Sequence, residues 1–264
     1  MLYYPQLMSG SVCQFPVRWR ATLRTASNEL PGGASIRMRD PGAGTIRWQL
    51  EYASLTDDEQ SAMVQLFEAA EGRLETFTFL DPTNNLLMWS EDLTKPVWTS
   101  DPLLQLVGGG ADPFGGTGAI QITNTAQTAQ HVVQSLGGAS WFQYCFSVYL
   151  RSDSPSTVQL MQSSSVETSR TTAAVGSTWT RFVKSGSLTV KQDGTSFGVE
   201  LPPGVRISAF GAQVEAQIAP GSYKKTTDHA GVYPKTRFES DSFPITTDAR
   251  NQNSCGVNLV SSLA

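Results

Sequence analysis

Two histidines, three cysteines and a scatter of carboxylates are the reactive side chains of this 264-residue sequence. Nucleophilic catalysis needs a nucleophile, a base and a group that orients the base. His131 and His229 stand apart from any Gly-x-Ser-x-Gly elbow, so no such constellation is legible. Glycoside hydrolysis needs two carboxyl groups facing each other across a sugar. Asp57, Asp58 and Glu59 are better explained as a helix start, Glu91-Asp92 falls in a loop, and Glu239 and Asp241 flank a strand. Cys13, Cys145 and Cys255 are odd in number and far apart, against both a Cys-x-x-Cys metal site and a disulfide framework. Gly108-Gly109-Gly110 has no lysine and no helix after it, and reads as a flexible loop rather than a phosphate cradle. The expectation is a chain without catalytic residues.

Sugar binding asks for something else. Pyranose C–H groups pack on flat aromatic rings, and a few polar groups read the hydroxyls. The candidates are Trp89, Trp141, Phe142, Tyr144 and Tyr149, with Gln143, Arg151 and Gln213 as polar partners. Trp98, Phe146, Trp179 and Phe182 are expected in the core instead. In the run 143–151 the strand period puts Tyr149 and Arg151 opposite Phe146, Val148 and Leu150, so that face is the candidate binding face. Arg18, Arg20 and Arg24 alternate with Trp19. At a net charge of −4 this pattern suits a solvated or subunit-contacting face better than nucleic acid. No apolar run is long enough to span a membrane, and Met1-Leu2-Tyr3-Tyr4-Pro5 does not read as a signal peptide.

The elements that must position these residues are mostly strands. Only 16% of residues are charged, glycine and proline are frequent, and turns recur throughout, as in β-rich proteins. Residues 15–24 and 46–52 alternate as half-buried strands, with a turn at Leu30-Pro31-Gly32-Gly33. Thr56 and Glu59 form a capping box ahead of Met63, Leu66, Phe67 and Ala70, which predicts a helix over 57–70 stopped by Gly72. Residues 74–80 return to strand. From 86 to 228 helical periodicity disappears, and seven short strands are expected near 119–123, 131–135, 143–151, 157–162, 179–185, 196–200 and 205–214. Two further strands, 235–241 and 256–260, cannot make a core alone. The fold class is therefore mainly β. A discontinuous barrel or sandwich with one helix (1–85 with 229–264) carries an inserted β-sandwich of jelly-roll type (86–228).

Two resemblances sharpen this. The ordered run Trp48-Gln49-Leu50-Glu51-Tyr52, Leu55-Thr56-Asp57-Asp58-Glu59, Leu66-Phe67, Gly72, Phe77-Thr78-Phe79-Leu80-Asp81-Pro82, with the return Arg237-Phe238-Glu239-Ser240-Asp241, resembles phage distal-tail and baseplate-hub proteins. The middle segment resembles jelly-roll carbohydrate-binding modules. It does so through Asn85-Leu86-Leu87, Asp112-Pro113-Phe114-Gly115-Gly116, Phe146 to Arg151, Trp179-Thr180-Arg181-Phe182, and Gly211-Ala212-Gln213-Val214-Glu215 followed by Pro220, Ser222, Tyr223 and Thr226. The resemblance implies a virion tail protein that self-assembles as a ring, a hexamer in that family. Its partners would be the tail tube, hub or fibre proteins and host-surface polysaccharide, with neither nucleic acid nor membrane insertion. It implies no cofactor beyond a structural calcium, for which Asp112 is the candidate ligand. The alternatives are a tail-tip adaptor whose insert only docks other tail proteins, and an accessory module of a polysaccharide-degrading enzyme.

Overall fold

The computed structural model describes residues 1–263. In chain order the elements are β1 (Arg18–Glu29), β2 (Ser35–Leu55), α1 (Asp57–Ala69), β3 (Phe77–Leu80), β4 (Trp98–Ser100) and β5 (Leu104–Gly110). Next come β6 (Ala119–Asn124), β7 (Gln130–Ala139), β8 (Tyr144–Arg151), β9 (Ser156–Ser163), β10 (Thr168–Val175) and β11 (Thr180–Gly186). The chain closes with β12 (Asp193–Leu201), β13 (Arg206–Glu215), β14 (Val232–Phe238), β15 (Ile245–Ala249) and β16 (Gln252–Ser262). It divides into two compact units. The first comprises Met1–Leu7, Cys13–Phe79 and the chain from Tyr233 onward; the second comprises Met8–Val12 and Leu80–Val232.

The first unit is built on one antiparallel sheet in the order β1-β2-β16-β14-β3, with β15 added to β16. Leu259 lies opposite Trp48, and Phe238 opposite Leu259, so residues from both ends of the sequence share this sheet. Trp48 packs against Phe79 at 4.9 Å and Tyr233 at 4.7 Å between ring centroids, and Phe77 against Phe238 at 5.0 Å. The sheet is open rather than a closed barrel. The capping box is present as expected: the Glu59 amide donates to Thr56 Oγ1 at 3.2 Å, and the Thr56 amide to Glu59 Oε2 at 2.9 Å. Met63 and Leu66 are the buried residues of α1.

Two expectations for this unit need correction. All twelve residues of β1 are exposed, so its alternation marks no half-buried strand. Among the described residues β1 is an edge strand paired only with β2. The strand expected over 74–80 is regular only from Phe77, and all four of its residues are buried.

The second unit is a jelly-roll sandwich of two five-stranded antiparallel sheets, β10-β9-β12-β7-β4 and β11-β8-β13-β6-β5. Its core lies between them, where Tyr144 and Phe146 meet Phe197 at 5.2 and 6.1 Å. All seven expected strands are recovered nearly in place, as β6, β7, β8, β9, β11, β12 and β13, while β4, β5 and β10 were not anticipated. The glycine run 108–110 belongs to β5 and is not a free loop.

Candidate carbohydrate-binding site

The outward face of the second sheet carries the site. Along β8, Cys145, Ser147, Tyr149 and Arg151 point away from the core. Cross-strand pairing sets Tyr149 beside Phe210 of β13 and Arg181 of β11. Part of this face is closed by the chain that follows β13. Arg181 donates to the Gly221 carbonyl at 2.7 Å and to Ser147 Oγ at 2.9 Å, and Ser185 Oγ donates to the Ile218 carbonyl at 2.7 Å. This strap is fastened to the chain at 85–90. Buried Asn85 donates to the carbonyls of Ala212 (2.9 Å) and Lys224 (3.3 Å), and its own oxygen accepts from the amides of Leu87 and Val214 at 3.0 Å each. The Thr226 amide donates to Ser90 Oγ at 2.9 Å.

What remains open is an aromatic crown. Phe114 is 64% exposed and sits edge-on to Tyr149 (5.6 Å) and Phe210 (5.7 Å), and nearly parallel to Tyr223 (6.2 Å, 14°). The loop presenting it is held by Asp112. One oxygen of that carboxylate accepts from the amides of Phe114 (2.8 Å) and Gly116 (3.0 Å), the other from Gly118 (3.0 Å). These bonds, that of Gly118 foremost, hold the Asp112 carboxyl below its ordinary range. Arg181 lies over the Tyr149 ring, its guanidinium carbon 5.7 Å from the centroid.

Beside the crown is a cleft of ≈ 400 Å³ lined among others by Trp89, Glu91, Thr94, Gly108, Gly118 and Lys225. Glu91 links the two. It accepts from the Tyr223 hydroxyl at 3.1 Å and is ion-paired with Lys225. Burial, above all, pushes the Tyr223 hydroxyl well above its ordinary value, so it stays a neutral donor to Glu91. Lys95 sits over the Trp89 ring at 4.7 Å. The cleft thus brings one ring, Trp89, together with the carboxylates Glu91 and Asp92, the Lys225 ammonium and threonine hydroxyls, beside the ring cluster of the crown.

The expected residues fare unevenly. Tyr149 is half-buried in the crown, and Arg151 lies on the same face, paired with Asp153 at 3.2 Å. Tyr144 is 0% exposed; it points into the core and donates to the Ala139 carbonyl at 3.0 Å, so it cannot touch a ligand. Gln213 is also 0% exposed, its amide spent on the Ser222 carbonyl and the Lys224 amide. Trp141 precedes the other end of β8 and packs on Phe142 at 5.9 Å. Asp112 is a loop staple, and among the described residues no group of three or more His, Cys, Asp or Glu is placed to hold a metal ion. A carboxylate already facing three amide donors is a poor seat for calcium, which wants six to eight oxygens. Sequence reasoning missed Phe114, Glu91, Tyr223 and Lys225 as a group. Only the Asp-Pro-Phe-Gly-Gly string and the Ser-Tyr-Lys-Lys-Thr string hinted at them.

No protein-family pattern matches the chain, and no curated protein does. Solved structures do. The enzymatically active domain of bacteriophage CBA120 tailspike protein 4 aligns at 9% identity and a TM-score of 0.40, covering 51% of this chain and 22% of the tailspike. The CBM22-1 xylan-binding domain of Paenibacillus barcinonensis Xyn10C aligns at 11% identity and a TM-score of 0.40, covering 52% and 94%. The C-terminal family 22 carbohydrate-binding module of Clostridium thermocellum Xyn10B aligns at 13% identity and a TM-score of 0.41, covering 54% and 100%.

Proposed function

We propose that this chain is a phage tail component whose jelly-roll unit binds glycans of the host surface, and whose other unit assembles with copies of itself into a ring of distal-tail or baseplate type. The observation that carries the glycan reading is the exposed Phe114 ring, braced by Tyr149, Phe210 and Tyr223 and adjoining the Glu91–Lys225 cleft. A braced ring offers a preordered platform, so little side-chain entropy is lost when a pyranose stacks on it. The tail reading is supported by the ordered resemblance of residues 48–82 and 237–241. Several weak sites on one ring would add to useful avidity, so each site can be weak alone.

The reading is of binding without catalysis. It is supported by the pairing of the two carboxylates that line the cleft, Glu91 with Lys225 and Asp92 with Lys95 at 3.4 Å. A glycan array probed with the whole chain tests this. We expect binding to a host-type polysaccharide, lost by at least about 10-fold on Phe114→Ala, equivalent to about 1.4 kcal/mol, with no sugar released. Absence of any bound glycan, or release of oligosaccharides by the chain, overturns the reading.

A further inference from the structure

The solvent face of the first unit's sheet is basic where it nears β1. Cross-strand pairing sets two rows of side chains there. Arg18, Gln49 and Asn258 form one; Arg20, Arg47 and Val260 form the next, with Arg237 beyond Val260. Arg20 and Arg47 stand directly opposite each other, and like charges so placed repel. Glu239 pairs with only one of them, meeting Arg47 Nε at 2.5 Å. Arg237 is spent on the carbonyls of Arg73 and Leu74, and Glu51 accepts from the Gln49 side-chain amide at 3.1 Å. Among the described residues Arg18 and Arg20 have no carboxylate partner, and both are exposed. A groove of ≈ 340 Å³ is lined by these two, Arg47, Gln49, Glu239 and Asn258.

The strand that carries Arg18 and Arg20 also has an open edge. β1 ends its sheet and pairs only with β2 among the described residues. From Arg18 to Thr22 that edge is backed by both β2 and β16, so it is a firm template for a further strand. Trp19, 56% exposed, and Ala21 point to the face opposite the arginines. A strand laid on this edge meets charge on one side and an aromatic ring on the other. The other edge strands of this chain do not fit it. β3, β4 and β5 carry no charge, β10 and β11 carry only basic residues, and β15 has one carboxylate, Asp248.

We infer that the Arg18–Thr22 edge takes an extended segment of a partner protein as an added strand. Acidic side chains of that segment lie opposite Arg18 and Arg20, and apolar ones opposite Trp19 and Ala21. Main-chain bonds supply the affinity, and the alternation supplies the register, because a slip of one residue moves the carboxylates to the face of Trp19. The inference adds a partner to the ring reading without depending on it.

Fluorescence anisotropy of a labelled octapeptide of alternating glutamate and valine, titrated with the whole chain, tests it. The peptide should bind, and a lysine–valine octapeptide should bind at least about 10-fold more weakly. Arg18→Glu with Arg20→Glu should weaken the glutamate peptide by at least about 10-fold, with the melting temperature unchanged because both side chains are exposed. Methylating every backbone nitrogen of the peptide should abolish binding, since strand addition needs those donors. No binding, or equal binding of the lysine or the methylated peptide, overturns the inference. Self-association of the whole chain that is lost in the double variant overturns it in favour of a second copy on this edge. Tighter binding of a single-stranded oligonucleotide overturns it in favour of nucleic acid. Closed rings formed by a chain that binds no peptide sink this inference alone and leave the ring reading intact.

Discussion

Phe114 and Tyr144 show how little residue type says about role until burial is known. Both are aromatic and both lie in the jelly-roll unit. One stands in solvent on three other rings, and the other is sealed between the sheets. We predict that Tyr144→Phe leaves glycan affinity unchanged and costs about 1 kcal/mol of stability through the lost bond to the Ala139 carbonyl, measured by calorimetry and denaturant titration. A second residue-scale prediction concerns Lys184, which is 5% exposed and donates to Ser169 Oγ at 2.8 Å. No carboxylate lies within ion-pair range of it among the described residues. Burial lowers its proton affinity, so the folded state is penalised wherever the ammonium is charged. Lys184→Met should therefore stabilise the chain by about 1 kcal/mol near neutral pH. The gain should shrink as pH climbs toward the unfolded lysine value of about 10.4, and a pH series of melting curves checks both.

At the scale of elements, local patterns were legible where the signal was local. The capping box, the stripe of α1 and the strands carrying Trp48 and Phe146 follow from spacing alone. Thr56→Ala should cost about 1 kcal/mol and lower the melting temperature by about 2–4 °C. Alternation misled for β1, because period two says that a strand has two faces, not that anything covers one. The site was only half legible for a related reason. Tyr149 and Arg151 could be placed on a face by counting along β8, whereas the bond from Tyr223 to Glu91 joins residues 132 positions apart. Only the strap fastened by Asn85 brings them together. The loop of Phe114 is a further case. Its amides draw the Asp112 carboxyl below its ordinary range, so the ordering they provide is full above the unfolded carboxylate value and is lost as pH falls through the depressed folded one. Glycan affinity should fall over that acidic window, and Asp112→Asn should weaken binding at pH 7.

For the whole molecule, the discontinuous layout follows from β16, which completes the sheet begun by β2 after the jelly roll has been looped out. Chelation with EDTA should leave the thermal midpoint unmoved, since Asp112 is held by amides. The ring assembly we propose belongs to this scale too, and negative-stain images of the purified chain should show closed rings. The most direct test of the account is saturation-transfer NMR with a bound host polysaccharide. It should place the strongest transfer on the axial C–H protons of one pyranose face, with the signal abolished by Phe114→Ala and kept by Trp141→Ala. Transfer that survives loss of the Phe114 ring would contradict it.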